Sequence, residues 1–320
     1  LRMFRFNIFL LCLFSVSCSF RIMNYNLVKN ESMSEVDQVR KIAAEIKRIN
    51  PDIVTLQKAW VWSNGSGPFL ALPKLLGKGW TGVLHCQYHV VVFTRHEILG
   101  MNEHVVSGLS VRIRLKGGFE MNVWALYLMH SDFGPYDIAE GKAKTTQQIM
   151  ASNGERWRIL EIVELLENKE FMKQINNSHH VPVIVAGVFN TPSHLDWTAD
   201  TKNIHNGLVI DWPVTKLIME SAGMVDSFRQ VHPNPISDPG FTRIKYSAGG
   251  NGKRYNETLD RTNFIFYRGS LRATSSFVDD STGTVPLYSA QTNDWALVTD
   301  FVQTPYKYYT RPSFSIGAEY

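Results

Sequence analysis

Apolar positions along this chain follow two periods, and each period predicts one kind of element. Residues 34–49 carry Val39, Ile42 and Ile46 at helical spacing, with Ser34 as a candidate N-cap and Pro51 as the stop. Continuous apolar runs instead predict buried strands, at 20–27, 52–57, 89–94, 120–129, 181–186, 263–267 and 296–302. Helices that alternate with mostly apolar strands predict an α/β fold with helices packed outside a sheet.

Two further segments have helical spacing. Residues 213–222 form one predicted helix, and residues 155–176 form a longer one. The longer pattern predicts that Trp157, Leu160, Ile162, Val163, Leu165 and Leu166 face inward. Four basic residues near its start, Lys142, Lys144, Arg156 and Arg158, are expected to form a solvated face.

The N-terminal segment has the pattern of a secretory signal peptide. Arg2 and Arg5 precede an apolar run at 8–14, and small residues follow at 15–19. The run is too short to span a bilayer. We therefore expect residues 1–19 to be removed, a single domain at 20–303, a C-terminal tail at 304–320 and a secreted protein without a transmembrane segment.

Composition narrows the classes of partner. The chain has 320 residues with 44% hydrophobic side chains, enough for one large domain, and a formal net charge of +4. Two of its positive charges lie in the predicted signal peptide. This small net positive charge is not a strong indication of nucleic-acid binding. Four glycosylation sequons fit a secreted protein; their acceptors are Asn30, Asn64, Asn176 and Asn256.

Short polar motifs follow one another at the ends of the predicted strands. They are Tyr25-Asn26, Leu56-Gln57-Lys58, Met129-His130, Gly187-Val188-Phe189-Asn190, Arg261-Thr262-Asn263 and Asn293-Asp294-Trp295. Their order resembles the endonuclease/exonuclease/phosphatase superfamily, which includes nucleases, abasic-site endonucleases, neutral sphingomyelinases and inositol phosphatases. The resemblance runs from about residue 20 to about residue 302. It implies a four-layered α/β sandwich, in which two packed, mainly antiparallel sheets are flanked by helices.

The resemblance also implies a chemistry, metal-assisted hydrolysis of phosphodiesters at one edge of the sheets. In the family, oxygen ligands hold a Mg²⁺ ion that polarises the phosphate. Carboxylates and histidines handle the proton transfers. Matched position by position, this chain retains Asn26, His130, Asn190 and Asp294. Of the metal ligands, Asn26 is the only remnant.

Four other positions depart from the family pattern. Lys58 stands in place of the metal-binding glutamate, and an ammonium group has no lone pair to offer a cation. Val188 and Asn263 replace aspartates, and Trp295 replaces the terminal histidine. We therefore expect no intact catalytic set and no metal cofactor.

Three functions are consistent with these motifs. The first is a secreted pseudoenzyme that binds an extracellular ligand, such as a phosphorylated or anionic one, without hydrolysis. The second is a divalent-metal-dependent phosphodiesterase with an altered active site, which requires another carboxylate, such as Asp260 or Glu257, to enter the site. The third is a small-ligand carrier whose cleft is reshaped around Trp295.

Overall fold

The computed structural model describes residues 18–27, 33–59, 67–85, 87, 89–105, 107–244, 259–279 and 293–305. Most of the predicted signal peptide and of the C-terminal tail lies outside this part, as do Asn30, Asn64, Asn256 and Glu257.

Strands and helices alternate along the described residues. The strands are β1 (Ser19–Asn26), β2 (Ile53–Gln57), β3 (Thr81–His85), β4 (Val90–Thr94), β5 (Glu97–Val105), β6 (Gly108–Arg114), β7 (Glu120–Tyr127), β8 (Val183–Val188), β9 (Val225–Asp226), β10 (Arg243–Ile244), β11 (Asn263–Arg268), β12 (Leu271–Asp279), β13 (Asn293–Asp294) and β14 (Ala296–Gln303). The α-helices are α1 (Glu35–Ile49), α2 (Pro68–Leu76), α3 (Gly134–Ala139), α4 (Thr146–Met150), α5 (Asn153–Glu167), α6 (Lys169–Asn176), α7 (Pro213–Ala222) and α8 (Ser227–Val231).

Two six-stranded sheets form the centre of the molecule. One has the strand order β12-β14-β1-β2-β4-β3, and the other has the order β5-β6-β7-β8-β11-β9. Only β1 with β2 and β7 with β8 pair in parallel among these strands. The remaining pairs are antiparallel, and β10 and β13 form a separate short ribbon.

Three hydrophobic layers separate four structural layers. Between the sheets, Ile22 and Ile53 of the first sheet pack against Val111 and Val123 of the second. A second apolar cluster joins the outer face of the first sheet to α1 and α2. A third joins the outer face of the second sheet to α5, α6 and α7. The predicted four-layered α/β sandwich is confirmed.

Helix α1 confirms the prediction from its sequence. It begins directly after Ser34, whose hydroxyl accepts a hydrogen bond from the Asp37 N–H at 3.1 Å. It ends at Asn50, which adopts the left-handed conformation just before Pro51. The apolar face carrying Val39, Ile42 and Ile46 is buried.

The prediction of one long helix at 155–176 is wrong, because the helix is interrupted at Asn168 and two helices form instead. That residue ends α5 and also caps α6, since its side chain accepts from the Phe171 N–H at 2.9 Å. The inward positions also differ, because Trp157 and Leu160 are 55% and 54% exposed. Only part of the apolar pattern of α5, including Ile162 and Leu165, packs on the sheet.

None of the helices formed by the described residues is long and apolar enough to cross a bilayer.

Candidate functional site

The ends of five strands meet at one edge of the two sheets. In the first sheet, Asn26 at the end of β1 lies opposite Gln57 at the end of β2, and Lys58 follows directly. In the second sheet, Val188 pairs with both Tyr127 and Asn263, so β7, β8 and β11 are in register at this edge. We call the strand ends that carry Asn26, Lys58, His130, Asn190 and Asn263 the candidate site.

A buried polar network ties the two sheets together beneath the candidate site. The Asn24 side-chain amide donates to the Gly187 carbonyl at 3.2 Å, so β1 bonds across to β8. The side chains of Thr55 and Gln57 both donate to the Asn24 side-chain oxygen, Oδ1, at 2.7 and 2.8 Å. These bonds fix the orientation of both amides, which leaves the Gln57 Oε1 atom buried with no hydrogen-bond partner among the described residues.

Lys58 reaches across from the first sheet to the second. Its ammonium nitrogen lies 5.7 Å from the centroid of the Tyr127 ring, a cation–π arrangement. His130 also stacks on that ring, with a centroid separation of 6.2 Å. His130 is exposed and Lys58 is half-buried. The Tyr127 ring therefore contacts both a cation and an accessible imidazole.

The side chains of Asn190 and Asn263 both form hydrogen bonds to backbone carbonyls. Asn190 has a left-handed backbone (φ 51°), and its side chain donates to the Leu128 carbonyl at 2.8 Å. The Asn263 side chain donates to the Trp295 carbonyl at 3.1 Å, and its Oδ1 atom is buried without a hydrogen-bond partner among the described residues. Asp294 pairs with Arg243 through the backbone, and its side chain lies outside the described part.

Asp260 does not join the candidate site. Its buried carboxylate accepts from the Trp197 indole N–H at 2.9 Å, within the cluster that also contains Trp212. The adjacent Arg261 is also buried, and its guanidinium bonds to Asp196 and Asp226 at 2.6–3.0 Å. Asn263, and not Asp260, therefore lies at the strand end, where it pairs with Val188.

A small cavity borders this ion cluster. Asp196, His205, Arg229 and Phe241 are among its lining residues, and Trp295 is not.

Known proteins resemble this chain in sequence and in structure. No family model matches the sequence. The uncharacterized protein F14F9.5 of Caenorhabditis elegans is 36% identical over 265 residues, which cover 81% of each chain. The Neisseria 3′ phosphatase NExo superposes with a TM-score of 0.59 at 15% identity, over 88% of this chain and 98% of the other.

Two further solved structures superpose on this chain with a similar TM-score. The human Nocturnin catalytic domain gives a TM-score of 0.54 at 17% identity, over 89% of this chain and 95% of the other. An abasic-site endonuclease from Archaeoglobus fulgidus gives 0.54 at 16% identity, over 88% and 98%. The chain has the endonuclease/exonuclease/phosphatase fold and belongs to one family with the nematode protein.

The donor set at the candidate site does not fit the Mg²⁺ of the endonuclease/exonuclease/phosphatase superfamily. Mg²⁺ in proteins is usually bound through one or two carboxylates. Here Gln57 and Asn263 offer oxygen atoms of neutral amides, and Lys58 adds a positive charge that repels a cation. Among the described residues, no group of three or more His, Cys, Asp or Glu side chains is arranged to hold a metal ion.

Sequence reasoning missed the side chains that link the motifs to one another. The apolar run at 120–129 predicts only a strand for Tyr127, although its ring contacts both Lys58 and His130. Arg158 was expected on a solvated face, but its side chain is fully buried and paired with Glu155 at 2.9 Å. Lys142, Lys144 and Arg156 are exposed as expected. A signal for Arg158 existed, because Glu155 lies one helical turn before it.

Proposed function

We propose that this protein is a secreted pseudoenzyme, a binding protein that keeps the fold of the superfamily without hydrolysing phosphodiesters. The observation that carries the proposal is the position of Lys58. Its ammonium lies over the Tyr127 ring, on which His130 also stacks, and it occupies the position where the resemblance expects a metal-binding carboxylate. A lysine at this position neutralises a phosphate as a point charge, and it supplies no lone pair for a metal.

The other substitutions remove proton-transfer groups. Val188 can neither accept nor donate a proton, and it is packed between Tyr127 and Asn263. Asn263 is neutral, and Trp295 offers only an indole N–H donor. Loss of one acid–base group typically slows a reaction by about 10²–10⁴-fold, and such groups act as a unit. Simultaneous loss of the metal ligand and of these groups supports binding without turnover.

The ligand we propose is extracellular and carries a phosphate or another oxyanion. Lys58 supplies the charge, and the exposed His130 imidazole supplies a second contact within the same set of side chains. Two structures with this fold were solved with related groups, a sulfate anion in Nocturnin and a product DNA hairpin in NExo. They support the choice of an oxyanion, although the low identity leaves the ligand of this chain a proposal.

The metal-dependent phosphodiesterase is the less supported function. It requires a carboxylate to replace the family glutamate, and the buried Asp260 is bonded to Trp197 instead. Glu257 lies outside the described residues. For the small-ligand carrier, the cavity beside Asp196 and Arg229 gives no support, because it does not include Trp295.

Titration with inorganic phosphate tests the role of Lys58. The natural protein is expected to bind phosphate in a calorimeter, and Lys58→Met is expected to weaken binding by about 10- to 100-fold, the range for one charge-assisted hydrogen bond. Lys47→Met, which removes an exposed lysine from α1, serves as the control and should leave the affinity unchanged. Equal affinities for the natural protein and Lys58→Met would reject an anion site at Lys58.

A further inference from the structure

Helix α5 carries a buried ion pair whose bonds all reach toward the candidate site. The Arg158 Nε atom donates to the Glu155 Oε2 atom at 2.9 Å, and both side chains are fully buried. Burial of two charges is costly, and such pairs often contribute little net stability compared with apolar side chains. The role of this pair is therefore inferred from the other hydrogen bonds that the two side chains form, and not from a gain in stability.

Arg158 holds the loop that contains His130. Its two terminal nitrogens donate to the carbonyl oxygens of Met129, Ser131 and Asp132, at 3.1, 3.0 and 2.9 Å. These carbonyls lie on both sides of His130. The planar guanidinium with five N–H donors suits this task, because one rigid group serves several acceptors at once.

Glu155 holds the turn that contains Asn190. Its second oxygen, Oε1, accepts from the Thr191 hydroxyl at 3.0 Å, and Thr191 directly follows Asn190. Close packing brings the helix to the loop: a Cβ on Gly154 would lie 2.4 Å from the carbonyl oxygens of Ser131 and Asp132. Any larger residue at 154 would push α5 away from the loop.

We infer that Glu155 and Arg158 are positioning residues that fix the His130 loop and the Asn190 turn relative to each other. Neither residue touches the ligand in this account; both act through the backbone that presents His130 and Asn190. The role in ligand binding rests on the proposed function, whereas the mechanical coupling of the two segments does not. The two parts are therefore tested separately.

Hydrogen–deuterium exchange on the full chain tests the coupling without any ligand. Arg158→Lys keeps the charge but loses the planar fork, so we expect exchange to become faster in both 128–133 and 189–193. Thr191→Val keeps the ion pair but removes the hydroxyl, so it should accelerate exchange in 189–193 alone. Thr191→Val also keeps the test decisive if Arg158→Lys fails to fold.

Arg229→Lys is a matched control. Arg229 is also a buried arginine; it pairs with Asp196 and donates to three carbonyls, those of His232, Asp238 and Pro239. Its replacement should lower stability without accelerating exchange in 128–133 or 189–193. The inference fails if Arg158→Lys accelerates 128–133 only, if Thr191→Val leaves 189–193 unchanged, or if Arg229→Lys has the same local effect as Arg158→Lys.

Phosphate affinity then tests whether the coupling of the His130 loop to the Asn190 turn contributes to ligand binding. His130→Ala should weaken phosphate binding in the natural protein, and the same change should have an effect near onefold in the Arg158→Lys background, because His130 is no longer held in place. An equal loss in both backgrounds would make Arg158 merely structural. If the natural protein does not bind phosphate, the proposed function fails, and the exchange measurements alone decide the coupling.

Discussion

Lys58 combines a residue type and a backbone conformation that rarely occur together. Its φ of 56° is left-handed, a region that is uncommon for residues with long side chains, whereas Asn190 has the same conformation with a side chain that tolerates it. The turn after β2 is held in place, since the Ala59 N–H donates to the His89 carbonyl at 2.9 Å. The backbone at Lys58 is therefore fixed by the turn, and the Lys58 ammonium lies over the Tyr127 ring.

A prediction at the residue scale concerns Asp52, which directly precedes β2, whereas Lys58 directly follows that strand. Burial opposes its ionisation, but hydrogen bonds from His96, the Arg21 backbone N–H and Arg95 outweigh burial and lower its pKa to about 2. A depressed carboxyl pKa stabilises the folded state above the ordinary value of 3.8, and this contribution is lost as the pH falls toward 2.

Asp52→Asn should therefore reduce the free energy of unfolding by about 2 kcal/mol at pH 7, the equivalent of the pKa shift. The difference between the variant and the natural protein should shrink as the pH falls from about 4 toward 2. Urea unfolding at pH 7, 4, 3 and 2 measures it. A difference that stays constant over this range would contradict the assigned pKa.

Single residues also show the limit of sequence reasoning at the site. The order of motifs predicts which strand ends carry Asn26, Lys58, His130 and Asn190, because each motif follows its own apolar run. It does not predict the side chain between them, Tyr127. Contacts such as that of Lys58 with Tyr127 depend on how two sheets pack face to face, which has no local signal in the sequence.

At the scale of elements, the break between α5 and α6 depends on Asn168. Asn168 donates its backbone N–H to the carbonyls of the last turn of α5, while its side chain caps α6. Asn168→Ala should lower the free energy of unfolding by about 1 kcal/mol, the usual loss for an N-cap. Asn168→Asp should keep most of the stability, because its carboxylate still accepts from the Phe171 N–H. Urea unfolding measures both variants; if Ala and Asp are equally destabilising, Asn168 does not act as a cap.

The strands show why a periodic pattern is only partly informative. β8 is buried on every residue, so its continuous apolar run is easily found. β6 buries Leu109, Val111 and Ile113 on one face between polar residues, a weaker alternating pattern that the predicted strands did not include. β12 alternates less clearly, because Ser and Thr fill its centre and its own register shifts between Ala273 and Ser275. The apolar runs therefore predict most of the inner strands and do not predict β6 or the edge strands β3, β5, β9 and β12.

For the whole molecule, the start of β1 bears on the predicted secretion. The Cys18 carbonyl accepts from the Gln303 N–H at 2.8 Å, and Ser19 pairs with Val302, so both residues belong to the sheet. Removal of residues 1–19, as the sequence predicts, would delete both of these pairings, whereas removal after Ser17 would keep them. Expression in eukaryotic cells should yield protein in the medium. Its N-terminal residue should be Cys18, and its mass should include a glycan at the exposed Asn176. Retention inside the cells with residues 1–17 attached would contradict secretion.

Loss of hydrolysis is the central claim, and one comparison tests it most directly. The natural mature protein and a variant with Lys58→Glu, Val188→Asp, Asn263→Asp and Trp295→His are assayed side by side with Mg²⁺ or Mn²⁺, on DNA, a chromogenic phosphodiester and sphingomyelin. We expect no turnover by the natural protein and metal-dependent turnover by the variant, because the fold still brings these positions to one edge. Metal-dependent turnover by the natural protein that is abolished by His130→Ala would contradict the account.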